Sequence, residues 1–229
     1  MREIILDTET TGFHAKGADR IVEIACLEIV NKMPTQKTFH TYVNPQRDVP
    51  FAATKVHNIK TEFLFDKPLF QDIADDFLTF VGDSKIVIHN APFDIGFLNA
   101  ELARHNKPLI PFEQAVDTLV MARSKFPGAN NTLDGLCKRF KIDLSNRTFH
   151  GALVDCELLA EVYVELLGGR QRKLFGKEIT FNNEEAVHVA ETVKTRREPR
   201  LFPASKKELE SHEQFLVDQI KDSLWGKAS

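Results

Sequence analysis

Ile4-Ile5-Leu6-Asp7-Thr8-Glu9-Thr10-Thr11-Gly12 is the stretch on which the reading of the chain turns. Three apolar residues enter it and two carboxylates leave it. Strand side chains alternate between faces, so Asp7 and Glu9 point one way and Ile4 and Leu6 the other. Like charges side by side at the end of a buried strand repel, and each loses hydration. A fold keeps such a pair when a cation lies between them, and a hard divalent ion with oxygen ligands fits. The plainer alternative is two solvated acids at a strand end.

Two more acids stand where buried acids are not expected. The apolar run Ile86-Val87-Ile88 leads straight into His89-Asn90-Ala91-Pro92-Phe93-Asp94. Phe97, Leu98 and Leu102 follow Asp94 at helical spacing, so Asp94 shares the inward stripe of a helix that starts at a strand end. It is either a helix-terminal charge or a site residue. Asp155 lies on the same face as Leu158, Leu159, Val162, Tyr163 and Leu166. A lone buried carboxylate costs several kcal/mol unless it is paired or ligating. Glu157, Glu161 and Glu165 fall off that face. His150 precedes the same helix.

The pattern around these acids predicts strands over 2–8, 21–30, 37–43, 86–88 and 115–117. A turn at Lys32-Met33-Pro34-Thr35 separates the second from the third. Helices are expected over 70–81, from Asp94 to about His105, and over 118–125, 132–140 and 151–167. Residues 45–68 read as loop with a short helical turn after Thr61. Strands first, then alternating strands and helices, indicate an α/β fold with a mixed sheet. Gly168-Gly169 closes the domain. Residues 169–205 read as a flexible linker, and 206–229 as a terminal segment with one helix ending near Trp225.

The chain has 229 residues, 42% of them hydrophobic and 28% charged, with net charge −3. That composition is ordinary for one sizeable domain with a tail, and it excludes coating of nucleic acid by bulk electrostatics. Residues 1–168 carry 18 Lys+Arg against 23 Asp+Glu, net −5, whereas residues 169–229 carry 12 against 10, net +2. Cys26, Cys137 and Cys156 are far apart, which argues against a disulfide frame or a zinc knuckle. No apolar run approaches the ~20 residues of a membrane span. Asp7 comes too early to leave room for a leader, so a cytoplasmic protein is expected.

Jointly, Asp7 to Gly12, His89 to Asp94 and His150 to Asp155 resemble the motifs of the DEDD exonuclease superfamily, in the branch with histidine in its last motif. The resemblance spans residues 1 to about 168 and implies a ribonuclease-H-like mixed sheet flanked by helices, with a flexible C-terminal tail ending in a helix. It implies two divalent cations, Mg²⁺ or Mn²⁺, held by Asp7, Glu9, Asp94 and Asp155, with His150 as general base. It further implies substrate contacts from Glu9, Thr10, Thr11, Gly12, Phe13, His57 and Asp155. Val56-His57-Asn58-Ile59 is similar to the family's His-Gly-Ile loop, with Asn58 in place of the glycine. The position that often carries an acid, five residues before that histidine, is Ala52. A DNA 3′ end is the expected substrate.

The tail carries two further likenesses. Gln171-Arg172-Lys173-Leu174-Phe175 is similar to the Gln-x-x-Leu-Phe peptide that docks on the bacterial sliding clamp, through Gln171, Leu174 and Phe175. Glu208 to Glu213 and Ser223-Leu224-Trp225 resemble the end of bacterial proofreading subunits that binds the polymerase (alpha) subunit. A small accessory subunit is a further expected partner, and no membrane is. The alternatives are a stand-alone RNA-trimming exonuclease with the same five residues, a non-catalytic nucleic-acid-binding scaffold, and, more distantly, a metal-dependent phosphomonoesterase.

Overall fold

The computed structural model describes residues 1–145, 149–169 and 204–219. The chain divides into two compact units, Met1–Lys177 and Glu178–Ser229. In the first, strands β1 (Arg2–Thr10), β2 (Ile21–Val30), β3 (Met33–Tyr42), β4 (Lys85–Ile88) and β5 (Ala115–Asp117) form one sheet in the order β3-β2-β1-β4-β5. β1 is central. It pairs antiparallel with β2 and parallel with β4, so the sheet is mixed.

The apolar entry of β1 is continuous because both of its faces are covered. Ile4 and Leu6 pack with Phe70, Phe77, Phe97 and Leu98 on one side. These come from α3 (Phe70–Val81) and α4 (Ala91–Arg104). Ile5 packs on the other side with Ala25, Val87, Cys156 and Leu159. Cys156 and Leu159 belong to α7 (Ala152–Leu166). That helix is buried twice over, because Leu158, Val162 and Leu166 turn to Ala122, Leu136 and Cys137. Those residues lie on α5 (Thr118–Lys125) and α6 (Leu133–Phe140). Fully burying a side chain such as these contributes about 1.5–3 kcal/mol each. α7 is thus held by the sheet on one side and a helix pair on the other.

Two local expectations need correction. β3 starts at Met33, not Lys37, because the reversal is the two-residue turn Asn31–Lys32 with φ of 52° and 66°. Such a turn matches the twist of a hairpin. Pro34 sits inside β3 without harm because β3 is the sheet edge. Residues 45–68 hold two helices, α1 (Phe51–His57) and α2 (Thr61–Leu64), where loop with one helical turn was expected. α6 starts where the sequence placed it, with Thr132 as its cap: the hydroxyl accepts from the Gly135 N–H. In the second unit, α8 (Lys206–Gln219) is the described element. Gln171, Leu174, Phe175 and Trp225 lie outside the described residues. Among the described residues, no helix is long and apolar enough to cross a membrane.

Candidate active site

The carboxyl end of β1 delivers Asp7 and Glu9 to the α7 side of the sheet, the side of Ile5. The first turn of α7 brings Asp155 to the same place. Glu9, His150 and Asp155 each present a ligand atom within 4.8 Å of the other two. His150 Nδ1 lies 3.3 Å from Asp155 Oδ2. The His150 backbone N–H is 3.3 Å from the Val56 carbonyl, which ties the approach to α7 to the end of α1.

Asp94 reaches the cluster from the opposite layer. It is 3% exposed, and its Oδ1 accepts from the Thr8 N–H at 3.1 Å and the Thr8 hydroxyl at 2.7 Å. Thr8 points to the α4 side of β1, between the two acids that point the other way. The carboxylate of Asp94 is therefore clamped to β1, with its own backbone N–H as a further donor, and the first N–H groups of α4 need another cap. That cap comes from Asp117 at the end of β5, which accepts from the Asn90 and Ala91 N–H groups at 3.3 and 3.2 Å. The same carboxylate accepts from Leu119 and Val120 and so also caps α5.

Two of the acids, Asp7 and Asp94, are biased toward their neutral form by their surroundings. Burial pushes Asp7 well above the usual carboxylate range, and the charges of Asp94, Glu9, Asp155 and Glu23 push it further. Burial pushes Asp94 up to about 7 against the two Thr8 hydrogen bonds, with Asp117 adding to the rise. Among the described residues, no lysine or arginine forms an ion pair with Asp7 or Asp94. Four carboxylates with an imidazole beside them are the donor set of a hard divalent cation, so these residues fit one.

The expected substrate contacts are placed unevenly. Thr10 and Thr11 are buried, and their hydroxyls are used inside the turn. Thr10 donates to the Gly12 carbonyl at 2.6 Å, and Thr11 accepts from the Arg20 N–H at 3.0 Å. Asp19 fills the space beside Gly12 so closely that a Cβ there would lie 2.4 Å from it. Phe13 is 82% exposed, with its ring 6.3 Å from that of Phe93. His57 is buried, and its Nδ1 accepts from the Ile59 N–H at 3.0 Å. Its Nε2 is buried without a hydrogen-bond partner, and burial lowers its pKa. Asn58 takes the left-handed conformation at φ 58° that the glycine replacement demanded. Ala52 is exposed in the first turn of α1.

Sequence reasoning missed Thr8, Asp117 and Glu23. Glu23 is 3% exposed, stands opposite Glu9 in the β1–β2 register, and binds His40 Nε2 at 2.7 Å and the Ala152 N–H at 3.2 Å. It thereby anchors the start of α7. Its signal in the sequence was an acid inside the apolar run Ile21–Val30.

A cavity of about 840 Å³ opens beside the carboxylates, lined by Asp7, Asp155 and His150 and by α5 and the loop to α6. A second groove, of about 410 Å³, lies on the other side of His150, with Tyr42, His57, Phe63 and Phe149 in its wall.

Comparison with known proteins agrees with this arrangement. The family model described as Exonuclease matches residues 4–163. DNA polymerase III subunit epsilon of Rickettsia felis is 54% identical over 226 residues, covering 96% of this chain and 98% of its own. The subunit of the same name from Salmonella typhimurium is 42% identical over 223 residues, covering 94% and 92%. Among solved structures, exonuclease X in complex with 5′ overhanging duplex DNA superposes with a TM-score of 0.55 at 27% identity, covering 72% of this chain and 90% of that one. The nuclease domain of 3′hExo, a DEDDh family member bound to rAMP, shares the fold with a TM-score of 0.63 at 17% identity, covering 72% and 91%. With its motifs converged at the end of one central strand and its relatives matched over nearly their whole length, the chain belongs to the exonuclease family, among the DNA polymerase III epsilon subunits.

Proposed function

We propose that this exonuclease removes nucleoside 5′-monophosphates from a DNA 3′ end, proofreading synthesis by a bacterial replicative polymerase. The observation that carries this reading is the meeting of Glu9, Asp155 and His150 within 4.8 Å, beside a buried Asp7 surrounded by carboxylates. In-line hydrolysis of a phosphodiester needs an activated water, neutralised phosphoryl oxygens and a stabilised leaving alkoxide. Two divalent ions, Mg²⁺ or Mn²⁺, supply these when bound. Asp7 would be shared between them, with Glu9 and Asp155 holding one and Asp94 supporting the other.

His150 takes the proton of the attacking water. An imidazole suits that task because it titrates near the working pH. The Asp155 carboxylate, 3.3 Å from Nδ1, steadies the imidazolium that results. The turn Thr10-Thr11-Gly12 and the exposed ring of Phe13 receive the terminal nucleotide, with His57 beneath. α8 and the residues after it dock on the polymerase (alpha) subunit, and the peptide with Gln171, Leu174 and Phe175 docks on the sliding clamp.

The test is hydrolysis of a 3′-mismatched primer with and without added Mg²⁺. Asp7→Ala and His150→Ala should each cost at least about 100-fold in turnover while the protein stays folded. Near-normal turnover in either variant refutes the assignment.

A further inference from the structure

The cavity beside the carboxylates has a second wall whose chemistry the reaction does not yet use. The inner wall is Asp7, Asp155 and His150, and the outer wall is α5 and the loop that follows. Among the described residues, Arg123 is the one lysine or arginine in the lining. It is exposed, and among the described residues it forms no ion pair or hydrogen bond.

The wall around Arg123 is built to hold its shape. Asn131 is 8% exposed, and its Nδ2 donates to the Phe126 and Ala129 carbonyls, both at 3.1 Å. Asn130 Oδ1 accepts from the Thr132 N–H and hydroxyl at 3.1 and 2.9 Å. His89 is tied to the Thr118 hydroxyl at 2.9 Å. Burial lowers the His89 pKa and the Arg123 charge lowers it further, so His89 does not add a second cation near neutrality. A guanidinium on a well-tied wall thus shares a cavity of about 840 Å³ with the cluster of acids, within the range of small-ligand sites. Guanidinium recognises phosphate by paired, charge-assisted hydrogen bonds.

Two grooves meet at His150. One, with His57 and its aromatic neighbours, lies on the β3 side; the other, with Arg123, lies on the β5 side. A hydrolysed strand has two parts, the nucleotide that leaves and the chain that stays. Resting on the exonuclease reading, we propose that Arg123 binds the backbone phosphate next to the scissile one on its 5′ side, so that the larger cavity holds the strand that stays.

The proposal is tested on the full chain by kcat/KM for DNA oligonucleotides without a 5′-phosphate. A dinucleotide contains only the scissile phosphate, whereas a trinucleotide adds the one assigned to Arg123. The wild-type chain should gain about tenfold in kcat/KM from dinucleotide to trinucleotide, the usual scale of one charged hydrogen-bonded contact. Arg123→Ala should shrink that step to within about twofold, and Arg123→Lys should retain part of it. The salt dependence of kcat/KM on a longer single strand should weaken by about 0.7 in log–log slope for Arg123→Ala. Because the side chain is exposed and unpartnered, the melting temperature should stay within about 2 °C of wild type.

An active wild type whose step and salt slope are unchanged by Arg123→Ala overturns the assignment and leaves the exonuclease reading standing. A wild type inactive on every length overturns both.

Discussion

Asp94 shows what burying a carboxyl beside other acids does to the protein that carries it. Its folded carboxyl titrates near 7 against 3.8 unfolded, so between those values the native state holds a proton that the unfolded chain has lost. Stability therefore falls as pH rises through that window. In EDTA, the melting temperature should drop from pH 5 to pH 8. Asp94→Asn keeps an oxygen for both Thr8 hydrogen bonds and removes the charge. It should flatten that slope and raise the metal-free melting temperature at pH 8 by several degrees, at the expense of turnover. A steeper slope in the variant would contradict the account.

The acids themselves were legible in the sequence, since a period of two aligned Asp7 with Glu9 and helical spacing put Asp155 among leucines. The partners were not. Thr8 meets Asp94 across 86 positions and Glu23 meets Ala152 across 129, and such distant pairs leave no local periodic trace.

Elements with strong apolar periodicity were read correctly, as with α3 over Phe70–Val81 and β2 over Ile21–Val30. α1 escaped because its seven residues carry no apolar stripe: Phe51 is 83% exposed and only His57 is buried. Its helix is imposed from outside, by packing near Val22 and Ile59, more than by propensity. Asp117 was visible as the residue before a helix, but its reach to α4 was not. One carboxylate there fastens two helix starts, including the one that carries Asp94. Removing both caps costs about 1 kcal/mol each. Asp117→Ala should thus lower the melting temperature by about 4–8 °C, and calorimetry in EDTA measures it. Because α4 would lose its anchor, Mg²⁺ titrated by activity should also saturate at a higher concentration.

On the scale of the whole molecule, residues 1–168 are net acidic, which repels DNA at long range. On the proposed reading, tethering to a polymerase would make the encounter intramolecular and supply the local concentration that charge withholds. Deleting 170–229 should leave hydrolysis of short single strands unchanged and abolish co-purification with the polymerase subunit; retained co-purification would sink the tail assignment.

β1, finally, is hydrogen-bonded along both edges and roofed on both faces. The doubly paired part is Glu3–Ile5, and Asp7 and Glu9 follow directly on it, so the amides of Ile4 and Ile5 should be among the slowest in the chain to exchange with deuterium.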